Sequence, residues 1–260
     1  MGSAEPIAIM EHFRVLEFDL HDALLRDLIA NFEQMIPAKL NSENVDQVND
    51  GQGVYQLFFR EELVYIGKTD REAGLRLRLQ RHCGKVRSRV GLNQADVSFK
   101  AVQIYVFTAM DLEGALIRHY KGKKLPLSWN LSGFGSNDPG RERDNSRLKI
   151  NHFDSCYPID LEMLVHFDCG DGRSAASILK QLKDELPFTI RYQSSSPRSK
   201  TPHAELINSS ISLPPGPISV RTVLIHIASE LGREWQVTAL PGHVIIYREE
   251  RIYDHGVVIR

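Results

Sequence analysis

Two tyrosines ten residues apart are the first candidates for chemistry in this 260-residue chain. Tyr55 lies in the run Gly53-Val-Tyr-Gln-Leu-Phe-Phe59, and Tyr65 lies in Leu63-Val-Tyr-Ile-Gly67. Both runs are rich in aromatic and β-branched residues, and a polar break separates them, so they predict a β-hairpin with the two phenols on neighbouring strands. A phenol has an unperturbed pKa of about 10 and is protonated at neutral pH. Catalysis by either tyrosine would therefore require help from other side chains.

The residues after the hairpin supply charged and polar side chains. Arg78 and His82 are four residues apart in a segment with helical periodicity, so they share one helix face. Glu113 begins the next predicted helix, and Asn130 directly precedes a glycine-rich loop. Each residue also has a structural explanation when taken alone: a surface arginine, a half-buried histidine, a helix-dipole partner or a turn-forming asparagine. Cross-strand packing would likewise explain the two tyrosines.

The charge of the chain is unevenly distributed, although its net value is only −1. The first sixty residues are acidic, and the stretch after the hairpin is basic, with Lys68, Arg71, Arg76, Arg78, Arg81, Lys85, Arg87 and Arg89. A local basic patch can bind phosphate whatever the net charge is. Lys68, Arg76 and Arg81 are therefore candidate substrate-binding residues, as are Arg141 and Arg143 after the glycine-rich loop. A solvated helix face and a plain solvent loop that includes Glu142 and Asp144 are the alternatives.

Hydrophobic periodicity predicts an α+β protein in two parts. In the first part the predicted elements are a helix at 15–35, a loop at 41–52, the hairpin, a helix at 72–89, a strand at 97–107 and a helix at 110–120. This order makes a compact unit over residues 48–150, preceded by an N-terminal helical arm over residues 1–47. A loop with turn signals is expected at 132–146.

Residues 151–260 are predicted to form a second, smaller α/β domain with two βαβ-like units. The predicted helices lie at 175–186 and 220–231, and the predicted strands lie at 163–168, 188–192, 206–213, 235–239 and 244–247. The expected role of this accessory domain is recognition, partner binding or oligomerisation. Its composition is not strongly basic, which disfavours dominant nonspecific contact with DNA.

Bulk features narrow the class of protein. No apolar run is long enough to cross a bilayer, so no membrane partner is expected. The N-terminus lacks the basic start and apolar core of a secretory signal. Three cysteines, Cys83, Cys156 and Cys169, are odd in number and lack metal-ligand spacing, which favours free thiols in a reducing compartment. A cytoplasmic protein is therefore expected.

Taken together, the candidate residues follow a known order of motifs. Gly53-Val54-Tyr55, Tyr65-Ile66-Gly67-Lys68, Arg78-x-x-x-His82, Glu113 and Asn130 occur in this sequence from residue 53 to 130. The set resembles the GIY-YIG endonuclease superfamily over roughly residues 50–131, with Val54 where the family name has isoleucine. The segment at 129–140, Trp-Asn-Leu-Ser-Gly-Phe-Gly-Ser-Asn-Asp-Pro-Gly, is similar to a stretch of the type II restriction endonucleases of that superfamily. The resemblance implies a small mixed three-stranded sheet flanked by helices.

The resemblance also implies Mg²⁺-dependent hydrolysis of DNA. Glu113 matches the family glutamate that holds a single divalent cation, for which Mn²⁺ should substitute. Hard cations prefer carboxylate and phosphate oxygens. Arg78 matches the family arginine that contacts the scissile phosphate, and its planar guanidinium suits two phosphate oxygens. Lys68 follows the second motif, with a catalytic role and a generic phosphate contact as its two interpretations.

The remaining matched residues would handle water and protons. Tyr55 would orient or deprotonate the attacking water, which requires that its pKa be lowered by the metal, Lys68 or Arg78. Tyr65 would position the phosphate or help the water. His82 would hold Tyr55 or shuttle its proton, and Asn130 would order the site through hydrogen bonds.

The expected function is sequence-specific, restriction-type cleavage of double-stranded DNA. Symmetric cleavage of a palindrome would require two copies of a site that cuts one strand, which favours a homodimer. One alternative is a loosely specific antiphage or toxin nuclease whose C-terminal domain binds a partner or immunity protein. The alternative of another class is a non-catalytic DNA-binding protein that has kept a nuclease fold.

Overall fold

The computed structural model describes residues 12, 19–69, 73–105, 111–135, 138, 140–167, 172–197 and 199–259. The chain contains both helices and strands, and the strands form several small sheets, which confirms the predicted α+β class. Within those ranges, none of the helices combines the length and the apolar character needed to span a bilayer.

The first part of the chain builds one sheet and its covering helices. Its helices are α1 (Leu20–Gln34), α2 (Ser42–Asp46), α3 (Leu75–Arg87), α4 (Leu112–Gly122) and the short α5 (Phe153–Cys156). Its strands are β1 (Ala38–Lys39), β2 (Gly53–Phe59), β3 (Glu62–Lys68) and β4 (Val97–Gln103), and a short 3-10 helix spans Gly140–Asn145. The predicted loop at 41–52 is thus wrong in part, because α2 begins there. Asn41 caps α2 by accepting a hydrogen bond from the N–H of Asn44.

The described strands of this sheet run in the order β1-β4-β2-β3, and each pair is antiparallel. The resemblance implied three mixed strands, so both the number and the direction differ. The extra strand, β1, comes from the segment predicted as an N-terminal arm. The predicted hairpin is present as β2 and β3, and its turn residues Arg60 and Glu61 both have positive φ (49° and 70°). Such a two-residue turn matches the right-handed twist of the flanking strands.

Helices cover both faces of the sheet. On one face, α1 and α4 contribute Leu28, Phe32 and Leu116 to a core that includes Val54 and Ile66 from the hairpin. On the other face, α3 packs Leu75 and Leu79 in the core that contains Tyr55 and Tyr65. Side chains alternate between the faces of a strand, so Tyr55 faces α3 while its neighbour Val54 faces α1 and α4. The helix that carries Arg78 and His82 therefore lies over the tyrosines.

The second part contains two further sheets. Its helices are α6 (Ala175–Glu185), α7 (Ala204–Asn208) and α8 (Val220–Glu230). Its strands are β5 (Leu164–Phe167), β6 (Thr189–Tyr192), β7 (Gly216–Ser219), β8 (Trp235–Leu240), β9 (His243–Arg248) and β10 (Val257–Val258). Strands β10-β8-β9-β6 form one sheet, in which β6 is parallel to β9, and β5 pairs antiparallel with β7. Both α6 and α8 bury apolar residues in the core of this part.

Two predictions for the second part are wrong. The strand predicted at 206–213 begins as helix α7, because His203 accepts a hydrogen bond from the N–H of Glu205 and Leu206 is the buried helix position. The predicted βαβ-like units are also wrong. The two strands that flank α6 belong to different sheets, and so do the two strands that flank α8. The predicted ends at Val15, Phe107, Met110 and Asp168 lie outside the described residues, as does Cys169.

Candidate active site

A buried phenol and a buried imidazole meet beneath α3. The hydroxyl of Tyr55 lies 2.7 Å from Nε2 of His82, and the two residues are 0% and 4% exposed. Burial raises the pKa of Tyr55, and the neighbouring phenol of Tyr65 raises it further. Burial and the nearby Arg78 guanidinium hold the pKa of His82 well below its usual range. Both groups are therefore uncharged at neutral pH, and the imidazole is free to act as a hydrogen-bond acceptor.

The direction of the Tyr55 pKa differs from the expectation of a lowered value. Arg78 does act in the expected direction, because its Nε lies 3.4 Å from the Tyr55 hydroxyl and donates to it. Burial in the core has the larger effect, because it disfavours the phenolate. An ionised Tyr55 is consequently not the resting state of this protein, and any proton loss must accompany a step that moves the proton to a neighbour.

Tyr65 and Glu113 complete the cluster. The ring of Tyr65 lies 6.1 Å from that of Tyr55 and 5.8 Å from that of His82, measured between centroids. Burial raises the pKa of Tyr65, and the Glu113 carboxylate raises it further, so the phenol lies within the electrostatic reach of that carboxylate. Arg78 acts on both groups in the opposite sense. The structure thus brings these five predicted catalytic residues together.

Glu113 provides a carboxylate that a hard cation could use. Its side chain is 25% exposed, and its Oε2 lies 3.7 Å from Nζ of Lys68. Burial raises the pKa of Glu113. The described residues contain no group of three or more His, Cys, Asp or Glu side chains poised around one point. A single half-buried oxygen donor fits Mg²⁺, which keeps several waters and takes the rest of its ligands from a phosphate substrate.

Asn130 lies at the edge of the sheet. Its Oδ1 accepts a hydrogen bond from the N–H of Ile66, and its Nδ2 donates to the carbonyl of Ile66, both at 2.9 Å. The N–H of Trp129 donates to the carbonyl of Val64. Because β3 is an edge strand, these contacts satisfy backbone groups that would otherwise lack a strand partner. Asn130 therefore fixes the strand segment that carries Tyr65.

The glycine-rich loop packs against the side chains of this cluster. Phe134 stacks on His82 with centroids 4.7 Å apart and an interplanar angle of 16°, and its ring meets Tyr65 edge-on at 5.1 Å. A Cβ on Gly135 would lie 2.0 Å from the Tyr65 hydroxyl. A Cβ on Gly67 would lie 2.5 Å from the Tyr55 hydroxyl, directly across the hairpin. Both tyrosine rings thus occupy space that only glycine leaves open.

Lys85 supports the same loop and was not among the predicted site residues. Its Nζ donates to the carbonyl of Phe134 at 2.5 Å and lies 5.0 Å and 5.4 Å from the ring centroids of Phe134 and Phe153. Burial lowers the pKa of Lys85 to about 7, and the nearby charge of Arg89 contributes to the decrease. The available sequence signal was its position three residues after His82, on the same helix face.

The lowered pKa of Lys85 predicts how the free energy of unfolding depends on pH. The unfolded chain keeps a lysine proton up to a pKa of about 10.4, whereas the folded chain releases it near pH 7. Between these values the unfolded state binds more protons, so the free energy of unfolding of the wild type should rise with pH relative to Lys85→Met. Urea denaturation of both proteins at pH 6 and pH 9 measures this difference. A difference that does not change with pH would contradict the lowered pKa of Lys85.

The predicted substrate-binding residues are placed in two groups. Lys68 lies between the carboxylates of Glu113 and Asp111, at 3.7 Å and 3.4 Å. Arg76 is half-buried, and its Nε donates to the carbonyl of Val48 at 2.7 Å. Arg81 is exposed on α3. This first group lies on or beside the helix that carries Arg78.

The second group comprises Arg141, which contacts the C-terminal part, and Arg143, which pairs with a residue of α5. The guanidinium of Arg141 lies over the ring of Tyr247 at 4.3 Å, and its Nη2 donates to Gln193. Arg143 forms an ion pair of 2.6 Å with the buried Asp154. Neither arginine is placed among the predicted catalytic side chains, and both contact groups of the protein itself.

Asp144 shows that the segment after the glycine-rich loop is not a plain solvent loop. Its buried carboxylate accepts hydrogen bonds from His243 at 2.7 Å, from Tyr247 at 3.0 Å and from Arg191. A buried charge is tolerated only when it is paired in this way. Asp144 joins the segment next to the glycine-rich loop to β6 and β9 of the second part. A charged residue in a polar stretch gave no sequence signal for such burial.

The chain matches no protein-family model, and no curated protein matches it. Any functional assignment therefore depends on the residues of the site and their geometry.

Proposed function

We propose that the chain is a metal-dependent nuclease that hydrolyses phosphodiester bonds. The observation that carries the proposal is the convergence of Tyr55, Tyr65, Arg78, His82 and Glu113 in one cluster, to which α4 contributes Glu113. Phosphodiester hydrolysis needs an activated water, stabilisation of negative charge on the phosphate and assistance to the leaving oxygen. A phenol paired with an imidazole, a guanidinium and a carboxylate supply groups for these tasks.

Within that class, we propose a GIY-YIG endonuclease of the type II restriction branch. The order of the matched residues in the sequence supports this family, and their convergence supports it independently, because spacing in the sequence does not by itself require contact in space. The proposed substrate is double-stranded DNA, cleaved at specific sites by two copies of the chain, one for each strand. Glycine-dependent packing of both tyrosines explains why the second motif and the loop contain glycine at 67 and 135.

The proposed proton path runs from water to Tyr55 and from Tyr55 to His82. Tyr55 keeps its proton in the resting site because burial raises its pKa. As the phenol oxygen takes the proton of the attacking water, its own proton passes to Nε2 of His82, 2.7 Å away. This transfer replaces a buried phenolate with an imidazolium on His82, and the negative charge of the bound phosphate would offset the cost of that buried cation.

The proposed charge stabilisation involves Arg78, Glu113 and Lys68. The Arg78 guanidinium is half-buried beside Tyr55 and would hold two phosphate oxygens in its planar fork. Glu113 would hold Mg²⁺, which when bound supplies Lewis-acid stabilisation of the phosphate. Lys68 lies near Glu113 and would balance its carboxylate until the cation and substrate arrive. Tyr65 would help to position the phosphate.

Gly67→Ala is expected to slow cleavage by about 100-fold, because an ångström-scale displacement of a reacting group can cost that much. The added Cβ would lie 2.5 Å from the Tyr55 hydroxyl and must displace the ring. Single-turnover cleavage rates and circular dichroism measure the loss and the retained fold. Gly122→Ala is the matched control, because nothing lies within 4 Å of its Cβ position in α4. Equal rates for wild type and Gly67→Ala would contradict the assigned place of Tyr55.

Digestion of a mapped plasmid with Mg²⁺, followed by sequencing of the fragment ends, tests the proposed function. Discrete fragments with a shared sequence at their ends are expected for a restriction endonuclease. A smear of ends would instead favour the loosely specific antiphage or toxin nuclease. Intact plasmid with both Mg²⁺ and Mn²⁺, across many DNA substrates, would favour the non-catalytic DNA-binding protein.

A further inference from the structure

An open groove of about 510 Å³ runs between α3 on one side and the C-terminal end of α6 with the residues that follow it on the other. Its α3 wall includes Arg81, Gly84 and Arg87, and its opposite wall includes Lys183, Glu185 and Pro187. The two walls approach closely at Gly84, where a Cβ would lie 3.2 Å from Cβ of Pro187. The groove therefore joins the helix of the candidate active site to the C-terminal part of the chain.

The α3 wall continues directly from the proposed phosphate contact. Arg78, Arg81, Gly84 and Arg87 are spaced three residues apart, so they form one oblique row along the helix surface. From Arg78 to Arg87 the row advances about 14 Å along the helix axis and turns about half-way round it, because nine residues make about two and a half turns. The axial advance corresponds to about four nucleotides of a B-form strand, which rises about 3.4 Å per nucleotide. A strand cut beside Arg78 that crosses the helix obliquely would thus bring its flanking phosphates past Arg81 toward the groove.

The charges of the groove are predominantly positive and unneutralised. Arg81, Arg87 and Lys183 are exposed, and no acidic side chain in the described ranges forms an ion pair with any of them. Some other exposed cations of the chain are paired, for example Lys123 with Glu33 at 2.9 Å. The acid in the groove, Glu185, accepts a hydrogen bond from Gln181 of α6 at 2.8 Å. An anionic ligand is the partner that these side chains fit.

We propose that this groove binds the phosphate backbone of duplex DNA that flanks the cleaved bond, with Lys183 as the contribution of the C-terminal part. The proposal rests on the proposed nuclease function, because that function places a DNA strand at Arg78. Two guanidinium groups and an ammonium on facing walls suit successive phosphates, which fix the position of a duplex without reading its sequence. The second part of the chain thereby extends the DNA path, although its overall composition is not strongly basic.

The salt dependence of DNA binding tests this proposal with the full chain. Removal of one cation that binds a phosphate should reduce the slope of log K against log salt by about 0.9. Fluorescence anisotropy with a labelled 30-base-pair duplex in EDTA, over 50 to 200 mM salt, measures the slope without cleavage. We expect a reduction of about 0.9 for Lys183→Gln and for Arg87→Gln, and about 1.8 for the double variant. Lys180→Gln is the matched control, because it removes an exposed charge of α6 that does not line the groove.

Cleavage of plasmid by the same preparations separates this inference from the proposed function. If Lys183→Gln and Arg87→Gln show the same slope as the wild type and cleavage is present, the result would contradict the proposed groove. The proposed nuclease function would not be affected. If the slopes of both variants are reduced but the wild-type protein does not cleave DNA, the result would support the groove and contradict the nuclease function. A slope reduced as much by Lys180→Gln as by Lys183→Gln would also overturn the groove, because the effect would then be general to α6.

Discussion

Glu113→Gln is expected to abolish Mg²⁺-dependent cleavage, with a rate decrease of at least about 1000-fold. Glutamine keeps the shape of the side chain but loses the charge that a hard cation requires. Loss of Lewis-acid stabilisation by several kcal/mol corresponds to a decrease of this size, since each 1.36 kcal/mol is tenfold in rate. Binding of DNA in EDTA should persist, because removal of a negative charge near Lys68 and Arg78 does not weaken attraction for phosphate.

Asp111→Asn is the matched control for Glu113→Gln. Asp111 also lies beside Lys68, at 3.4 Å, and caps α4 by accepting a hydrogen bond from the N–H of Gly114. Asparagine caps helices about as well as aspartate, so this variant removes a neighbouring charge while the helix is kept. Its cleavage rate should fall less than tenfold. Single-turnover rates and Mn²⁺ titration calorimetry measure both effects, and full cleavage by Glu113→Gln would contradict the metal-binding role.

Tyr55→Phe and His82→Ala are expected to reduce cleavage by 100- to 10,000-fold each, the range that general acid–base groups usually contribute. The double variant should lose little more than either single variant, because a proton path fails when either member is missing. The 2.7 Å contact between the two groups is the physical basis of this non-additivity. Single-turnover rates at saturating DNA measure the double-mutant cycle.

Two further variants are compared in the same experiment: Tyr120→Phe as a control, and Tyr65→Phe as a test of the second tyrosine. Tyr120 is a buried tyrosine in the core on the opposite face of the sheet, so its hydroxyl should not affect the rate. Tyr65→Phe should lower the rate less than Tyr55→Phe if Tyr65 only positions the phosphate. Losses that simply multiply in the double variant would argue against one proton path through Tyr55 and His82. Full cleavage rates in Tyr55→Phe and in Tyr65→Phe would contradict a catalytic role for these two tyrosines.

Much of the site could be predicted because it depends on local patterns. The hairpin that carries Tyr55 and Tyr65 followed from two β-rich runs, and the shared face of Arg78 and His82 followed from helical spacing. The contact between hairpin and helix needed only the packing of α3 on the sheet, which the apolar positions of α3 determine. The glycine at 67 matches a motif in the sequence, but its reason, the ring of Tyr55 across the hairpin, is visible only in the structure.

The features that sequence reasoning missed depend on tertiary contacts. The pKa of Tyr55 is raised because its surroundings are buried, and burial depends on what packs against the site. Lys85 and Asp144 look like surface charges in the sequence, yet one supports the carbonyl of Phe134 and the other joins two parts of the chain. In the second part, the helix and strand patterns were largely visible, whereas the sorting of strands into two sheets was set by long-range pairing.

Cleavage of supercoiled plasmid by purified wild-type protein, with Mg²⁺ and with EDTA, tests the central claim most directly. Glu113→Gln, prepared in parallel, controls for a contaminating nuclease. The proposed site predicts linear DNA and smaller fragments with Mg²⁺, none with EDTA, and none with Glu113→Gln. Plasmid that stays supercoiled with wild-type protein in both Mg²⁺ and Mn²⁺, or that is cut equally well by Glu113→Gln, would contradict the assignment of a one-metal nuclease site.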